Sequence, residues 1–199
     1  MLVAFLGAPC SGKTTCAAQT FAALKRDNYN AEFISEYARE YIAEKKVVSK
    51  NPKVDLDDAD QIQIMSQQLK KEIIFAESCK NESIVVVDGS ALNSVLYMSE
   101  KAMYSDQVVQ LIESAKANYD LIYMCSPFIC DRVEDPNRIH NFEQSKEIAK
   151  KLERLIESNF REKKEMGSKV EVKVLIGNPH VRLNAVNLDI FTKQLEFYE

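Results

Sequence analysis

The sequence predicts an α/β fold of three layers, with a five-stranded parallel sheet covered by helices on both faces. Three observations predict it. Short apolar runs alternate with stretches of helical period along the 199 residues. The run Ser83–Asp88 (SIVVVD) is β-branched and apolar throughout, as suits a central parallel strand. The first apolar run ends in a glycine-rich turn that leads directly into a helical stretch. Strand, turn and helix in that order open a right-handed crossover.

The elements follow in order. Leu2–Gly7 is the first strand, and Lys13–Lys25 reads as a helix. Ala31–Ser35 is the second strand. Asp57–Cys79 carries Ile62, Met65, Leu69, Ile73 and Ala76 at helical spacing. Ser83–Asp88 is the third strand. Two helical stretches follow, Ala91–Glu100 and Asp106–Asn118. Asp120–Cys125 (DLIYMC) is the fourth strand. Phe142–Glu165 repeats its apolar residues at helical spacing through Ile148, Leu152, Leu155, Ile156 and Phe160. Val170–Ile176 is the fifth strand, stopped by Gly177. Val181–Phe197 closes as a helix on Val181, Ala185, Leu188, Phe191 and Leu195. Two stretches read as exposed loops: Lys45–Asp57, charged and containing Asn51-Pro52, and Ser126–Asn141, with Pro127, Pro136 and mixed charges. The second is long for a connection, which marks it as a lid. No internal repeat appears, and one domain spanning 1–199 is expected.

Composition excludes several classes. Hydrophobic residues make up 46% and charged residues 28%, so the chain is neither disordered nor a small disulfide scaffold. No apolar run approaches the roughly 20 residues that span a membrane. The first residues lack a basic segment and a signal-like apolar core, so a cytoplasmic protein is expected. Five cysteines, an odd number without C-x-x-C spacing, read as free thiols in a reducing compartment. The net charge of −4 gives no global nucleic-acid footprint.

The strongest chemical signal is GAPCSGKTT, Gly7, Ala8, Pro9, Cys10, Ser11, Gly12, Lys13, Thr14 and Thr15, which satisfies G-x-x-x-x-G-K-[ST] between a strand and a helix. Gly7 and Gly12 are expected to take backbone angles closed to other residues. Successive amides at a helix N-terminus then cradle a phosphate chain. Lys13 is placed to reach the β and γ phosphates of ATP. Thr14 offers a hydroxyl to Mg²⁺, and Thr15 supports a phosphate from the first helical turn. Cys10 is a tolerated small residue. Asp88 ends the third strand, at the carboxyl edge beside this loop, where it can hold Mg²⁺ through water or touch the substrate.

Strand two runs into SEYAREY. Glu36 and Arg39 are three apart and share one face of a starting helix. A carboxylate there can take a proton from an attacking hydroxyl, and an arginine can bind an anionic or polar acceptor. The Ser126–Asn141 loop carries Arg132, Arg138 and His140. A mobile arginine can neutralise charge on a transferred phosphoryl group, which makes Arg132 or Arg138 the candidate. Gln61, Gln63, Gln67 and Gln68 read as an ordinary polar helix face, from which one or two could alternatively reach a sugar or base. Tyr37 and Tyr41 suit either stacking on a ring or partial core burial. Lys45, Lys46, Lys50 and Lys53 read as a solvated loop that could alternatively track a phosphodiester backbone.

These residues together resemble the P-loop kinase domain of NadR-type proteins, the nicotinamide riboside kinases and their phage and bacterial relatives. The resemblance rests on GAPCSGKTT, EYAREY at Glu36–Tyr41, the glutamine-bearing helix Gln61–Ser78, IVVVDGS at Ile84–Ser90 and EDPNRIHNFEQ at Glu134–Gln144. It implies a P-loop fold with strand order 2-3-1-4-5 and ATP- and Mg²⁺-dependent phosphorylation of a nucleoside-like hydroxyl. It assigns phosphate and metal to Lys13 and Thr14, an acid to Asp88 and the lid arginine to Arg138. Ser90 replaces an acid common in the family, and Pro136-Asn137 stands where a glycine is usual. Both departures fall on the acceptor side.

The Glu36/Arg39 spacing is also similar to the D-x-x-R of polynucleotide kinases, which makes DNA ends or hydroxymethylated bases an alternative acceptor. An ATPase switch driving a partner is a further alternative. The long helices and the lid permit a homodimer.

Overall fold

The computed structural model describes residues 1–79, 83–126, 142–161 and 170–198. Five strands, β1 (Leu2–Leu6), β2 (Ala31–Ile34), β3 (Ile84–Asp88), β4 (Leu121–Cys125) and β5 (Glu171–Leu175), form one sheet in the order β2-β3-β1-β4-β5. All four pairings are parallel. The strand order is the one expected. The helices are α1 (Lys13–Arg26), α2 (Tyr37–Ser49), α3 (Asp58–Ser78), α4 (Glu100–Met103), α5 (Asp106–Lys116), α6 (Phe142–Ile156) and α7 (Pro179–Tyr198).

Strand alternation sorts the core into two layers. Val3, Phe5, Val86, Leu121 and Tyr123 pack with Cys16, Ala17 and Leu24 of α1 and with Val186 and Ile190 of α7. Leu2, Ala4, Leu6, Val85, Val87 and Ile122 pack instead with α3, α5 and α6 through Met65, Leu69, Ile112, Leu152 and Ile156. The central strands β1, β3 and β4 are buried along their length, which explains their unbroken apolar sequences. Register places Phe5 beside Asp88 and Leu6 beside Met124. The first turn after β1 and the acid ending β3 therefore share one edge of the sheet.

Four expectations need correction. Lys45–Asp57 is not one loop: α2 runs through Ser49, and only the residues after it are irregular. The stretch YAREYIAEKK is rich in good helix formers, and they carry the helix past the charged residues. No side chain of α2 is buried, so polar contacts hold it. Lys45 forms an ion pair with Asp60 on α3, and Lys71 reaches Glu40 at 2.9 Å.

The stretch after β3 is a 3₁₀ helix over Ala91–Tyr97, with Ala91–Leu96 all buried, followed by the separate short α4. Burial on all sides replaces the one-sided pattern of a surface α-helix.

The third correction concerns α7, whose apolar stripe does not face the core. Val181, Leu188 and Phe191 are exposed, while Arg182, Val186 and Ile190 are buried. The polar work of Arg182 turns the helix this way, as shown below. The fourth concerns α6, which closes at Ile156 and widens into a π turn over Glu157–Arg161.

The four described cysteines are free thiols. No described helix is long and apolar enough to cross a membrane.

Candidate functional site

The loop between β1 and α1 is held from below and from the side. Gly7 earns its place by space and not, as expected, by backbone angle. A Cβ on it would lie 2.2 Å from Ser11 Oγ and 3.1 Å from the Cys125 carbonyl oxygen. Gly12 does sit in the left-handed region, at φ 79°, as the residue that caps α1. Cys10 takes φ 67° without being glycine, a strained angle at the exposed tip of the loop. Ser11 N–H donates to the Ala8 carbonyl at 3.1 Å and closes the turn. Pro9 to Thr15 line the open side of the loop, while Gly7 and Ala8 lie buried beneath.

Sequence reasoning missed the residue that braces this loop from behind. Arg182, buried on α7, donates from Nη1 to the Ser11 carbonyl at 2.6 Å and from Nη2 to the Ser126 carbonyl at 2.7 Å. Its Nε donates to the Gly177 carbonyl at 2.9 Å. One guanidinium thus ties together the segments that follow β1, β4 and β5. Only its position opposite the apolar stripe of α7 hinted at this. Arg182 also acts on Cys16. The hydrogen bond with Cys125, and secondly Arg182, bring the Cys16 thiol down to about 7 against the effect of burial.

At the carboxyl edge, five predicted residues meet. Lys13 Nζ lies 3.3 Å from Glu36 Oε2. Arg39 Nε reaches the same oxygen at 3.2 Å, and Arg39 Nη2 donates to Thr14 Oγ1 at 2.9 Å. Asp88 is 3% exposed. Burial raises its pKa, opposed by the charge of Lys13 and a hydrogen bond from Thr14. Among the described residues, Asp88 Oδ1 has no hydrogen-bond partner. A buried, unpartnered carboxylate oxygen near a threonine hydroxyl is an oxygen donor set that suits Mg²⁺, which takes one or two protein ligands alongside phosphate and water.

A cleft of about 790 Å³ opens from the loop across Glu36 and Arg39 to α3 and the 3₁₀ helix. That size suits a small ligand, for which about 300–1,000 Å³ is usual. Its far wall carries Gln61, Ile64, Gln68, Asn93 and Tyr97, with Lys46 at the side. Gln61 and Gln68 are buried and line the cleft, whereas Gln63 and Gln67 are exposed, as a polar helix face requires. Gln68 Oε1 accepts from Tyr37 N–H at 2.8 Å. Asn93, Ser94 and Tyr97 escaped sequence reasoning because their stretch looked like ordinary helix. Asn93 Oδ1 is buried and, among the described residues, has no partner. Tyr41 donates to Asp60 at 2.6 Å, which with burial pushes its hydroxyl up to about 12. Burial works against ionisation of Asp60, yet Lys45 and Tyr41 outweigh it and hold that carboxyl at about 2. Arg132, Arg138 and His140 lie outside the described residues.

Comparison with known proteins places this geometry. The AAA domain family AAA_28 matches residues 2–169. No curated protein matches. A solved structure of the NadR protein in complex with NAD and AMP-PNP shares 19% identity, with a TM-score of 0.62 over 93% of this chain and 48% of that one. The NadR protein in complex with NR shares 20%, with a TM-score of 0.61 over 93% and 49%. Thymidylate kinase from Ehrlichia chaffeensis shares 14%, with a TM-score of 0.59 over 94% and 97%. The chain spans about half the length of the NadR chains. These likenesses show the fold. With the family match covering most of its length, the chain belongs to the AAA_28 family of AAA domains and has the P-loop kinase fold.

Proposed function

We propose that the chain is an ATP- and Mg²⁺-dependent phosphotransferase that moves the γ-phosphoryl group of ATP to a hydroxyl of a nucleoside- or nucleotide-like acceptor. One observation carries this reading. The Glu36 carboxylate stands 3.3 Å from Lys13, on the wall of a cleft that runs from the phosphate loop to an amide- and tyrosine-lined far side. A hydrolytic switch has no use for a cleft that continues beyond its phosphate site. A kinase needs one for its acceptor. The NadR structures, solved with AMP-PNP, NAD and NR, are consistent with that use of the fold.

In this mechanism the loop amides receive the phosphate chain, and Lys13 turns from Glu36 to the β and γ phosphates. Thr14 and Asp88 would hold Mg²⁺, which when bound neutralises charge on those phosphates. Arg39 orients the acceptor. As the acceptor oxygen bonds to the γ-phosphorus, the bond from phosphorus to the β–γ bridging oxygen breaks and ADP leaves. The proton of the hydroxyl passes to Glu36. Positioning and charge neutralisation supply the rate.

The test is transfer from γ-labelled ATP with Mg²⁺ to two pools: small nucleosides and nucleotides, and DNA with 5′-hydroxyl ends or hydroxymethylated bases. Label in a small molecule is the expected result. Label in DNA moves the acceptor to nucleic acid. Label released only as free phosphate overturns the kinase reading.

A further inference from the structure

Among the buried ionisable groups that the mechanism above leaves unused, one is a carboxylate with no cation beside it among the contacts of its oxygens. Glu72 of α3 is fully buried in the larger core layer. Its carboxylate is saturated from three directions. Oε1 accepts from Gln68 Nε2 at 3.0 Å and from Ala91 N–H at 3.0 Å. Oε2 accepts from Tyr119 Oη at 2.6 Å.

Each Oε1 contact leads to a different wall of the cleft. Gln68, its amide fixed by Glu72, presents Oε1 to Tyr37 N–H. Tyr37 is the first residue of α2, and that helix has no side-chain cap of its own from Glu36. Gln68 thus supplies the missing acceptor at the turn that carries Glu36 and Arg39. Ala91 is the first residue of the 3₁₀ helix that carries Asn93 and Tyr97. A buried carboxylate is a costly way to fill a core position unless its bonds fix something an apolar residue could not. Here it fixes two cleft walls against each other, and one of them, α2, has no buried side chain to locate it.

We infer that Glu72 is a positioning residue of the acceptor site: its Oε1 sets the register between the turn bearing Glu36 and Arg39 and the wall bearing Asn93 and Tyr97. This rests on the proposed transfer reaction for its consequence, though not for its geometry.

The experiment compares Glu72→Met, Glu72→Gln and Tyr119→Phe. Methionine fills the space and offers neither arm an acceptor. Glutamine can keep Oε1 toward Gln68 and Ala91 while its amide faces Tyr119. Tyr119→Phe removes a buried bond and leaves both arms intact, so it reports what a purely structural role does. Glu72→Met is expected to lower kcat/KM for the acceptor by about tenfold or more while ATP affinity, read by direct titration, changes less than about twofold. Glu72→Gln should restore most of the loss, and Tyr119→Phe should stay within about twofold of the parent despite a lower Tm.

Amide hydrogen exchange reads the same claim without turnover. Protection at Tyr37 and Ala91 should fall together, by about tenfold, in Glu72→Met alone. If Glu72→Met does not fold, Glu72→Asp, whose carboxylate is drawn back by one methylene, takes its place with the same signs expected. Unchanged acceptor kinetics, a matching loss of ATP affinity, or unchanged exchange at the two amides overturns the inference. If the parent protein transfers to no acceptor, the proposed function falls, and the exchange pattern alone then upholds or overturns the coupling.

Discussion

Glu36 Oε2 is shared by two cations, Lys13 Nζ at 3.3 Å and Arg39 Nε at 3.2 Å. Arg39 continues to the Thr14 hydroxyl at 2.9 Å. The phosphate-loop lysine, the candidate base, the candidate acceptor arginine and the candidate metal ligand are therefore one polar chain lining the cleft. A phosphate group entering the loop competes with Glu36 for Lys13. In the proposed reaction, nucleotide binding and release of the candidate base are therefore coupled.

Glu36→Gln separates the two roles. Removing the charge removes the competitor for Lys13, so ATP should bind at least as tightly as to the parent. Transfer should fall by about 10²–10⁴, the usual contribution of a general base. Isothermal titration and a single-turnover transfer assay read the two quantities. Full transfer in this variant would show that Glu36 is not the base.

Lys13→Ala tests the phosphate loop itself. Loss of a charge-assisted contact to phosphate should weaken ATP binding by about ten- to a hundredfold and abolish measurable transfer. Intact ATP affinity and turnover would sink the site as described.

Asp88→Asn sets function against stability. Burial raises the pKa of Asp88, and Oδ1 lacks a partner among the described residues, so the ionised group is held at a cost in the protein without ligand. The neutral amide should raise Tm by a few degrees. It should also raise the Mg²⁺ concentration needed for half-maximal transfer by about tenfold or more, since a charged oxygen ligand is lost. Differential scanning calorimetry and a Mg²⁺ titration check the pair. A variant that is less stable and equally responsive to Mg²⁺ would remove Asp88 from the metal site.

Arg182→Ala should be costly despite its distance from the acceptor. It leaves the carbonyls of Ser11, Gly177 and Ser126 without their guanidinium partner. Of these three contacts only the one to Ser11 is fully buried, and an unpaired buried acceptor costs about 1–3 kcal/mol, so a loss of about that size is expected by urea unfolding. ATP affinity should fall with it, because the brace behind Ser11 is gone. Acceptor KM should move little.

The fold was legible because its signals are local. The apolar run of β3 and the glycine turn after β1 each state their structure within ten residues. The gathering of Lys13, Thr14, Glu36, Arg39 and Asp88 at one edge was also legible, since each sits at the end of a recognisable strand or the start of a helix, and the sheet brings those ends together. What escaped depends on pairs distant in sequence. Arg182 acts on Ser11, 171 positions away, and Glu72 on Tyr119, 47 positions away. Helical spacing misassigned α7 because its buried face is chosen by a polar contact, which hydrophobic periodicity does not weigh. The 3₁₀ stretch misled for a related reason: burial on every side erases the pattern that separates helix types.

The titration of Glu72 gives a stability signature that can be isolated. Burial lifts its carboxyl from the ordinary 4.5 to about 7, although Tyr119, Gln68 and Ala91 all pull the other way. The folded state therefore holds this proton more tightly than the unfolded chain does. The stabilisation is complete below about pH 4.5 and is lost as pH rises through about 7. Asp60 is shifted in the opposite direction, to about 2, so its contribution is lost only in acid, outside this window. Asp88 is raised as well, and comparison with Glu72→Gln cancels it. The parent should lose on the order of 3 kcal/mol relative to Glu72→Gln between pH 4.5 and 7.5. Acceptor kinetics should show no matching step, because protonation at Oε2, toward Tyr119, leaves Oε1 free to hold Gln68 and Ala91. Urea unfolding of both proteins across that range measures the difference, and parallel profiles would mean that Glu72 carries the same charge in the folded and unfolded chains.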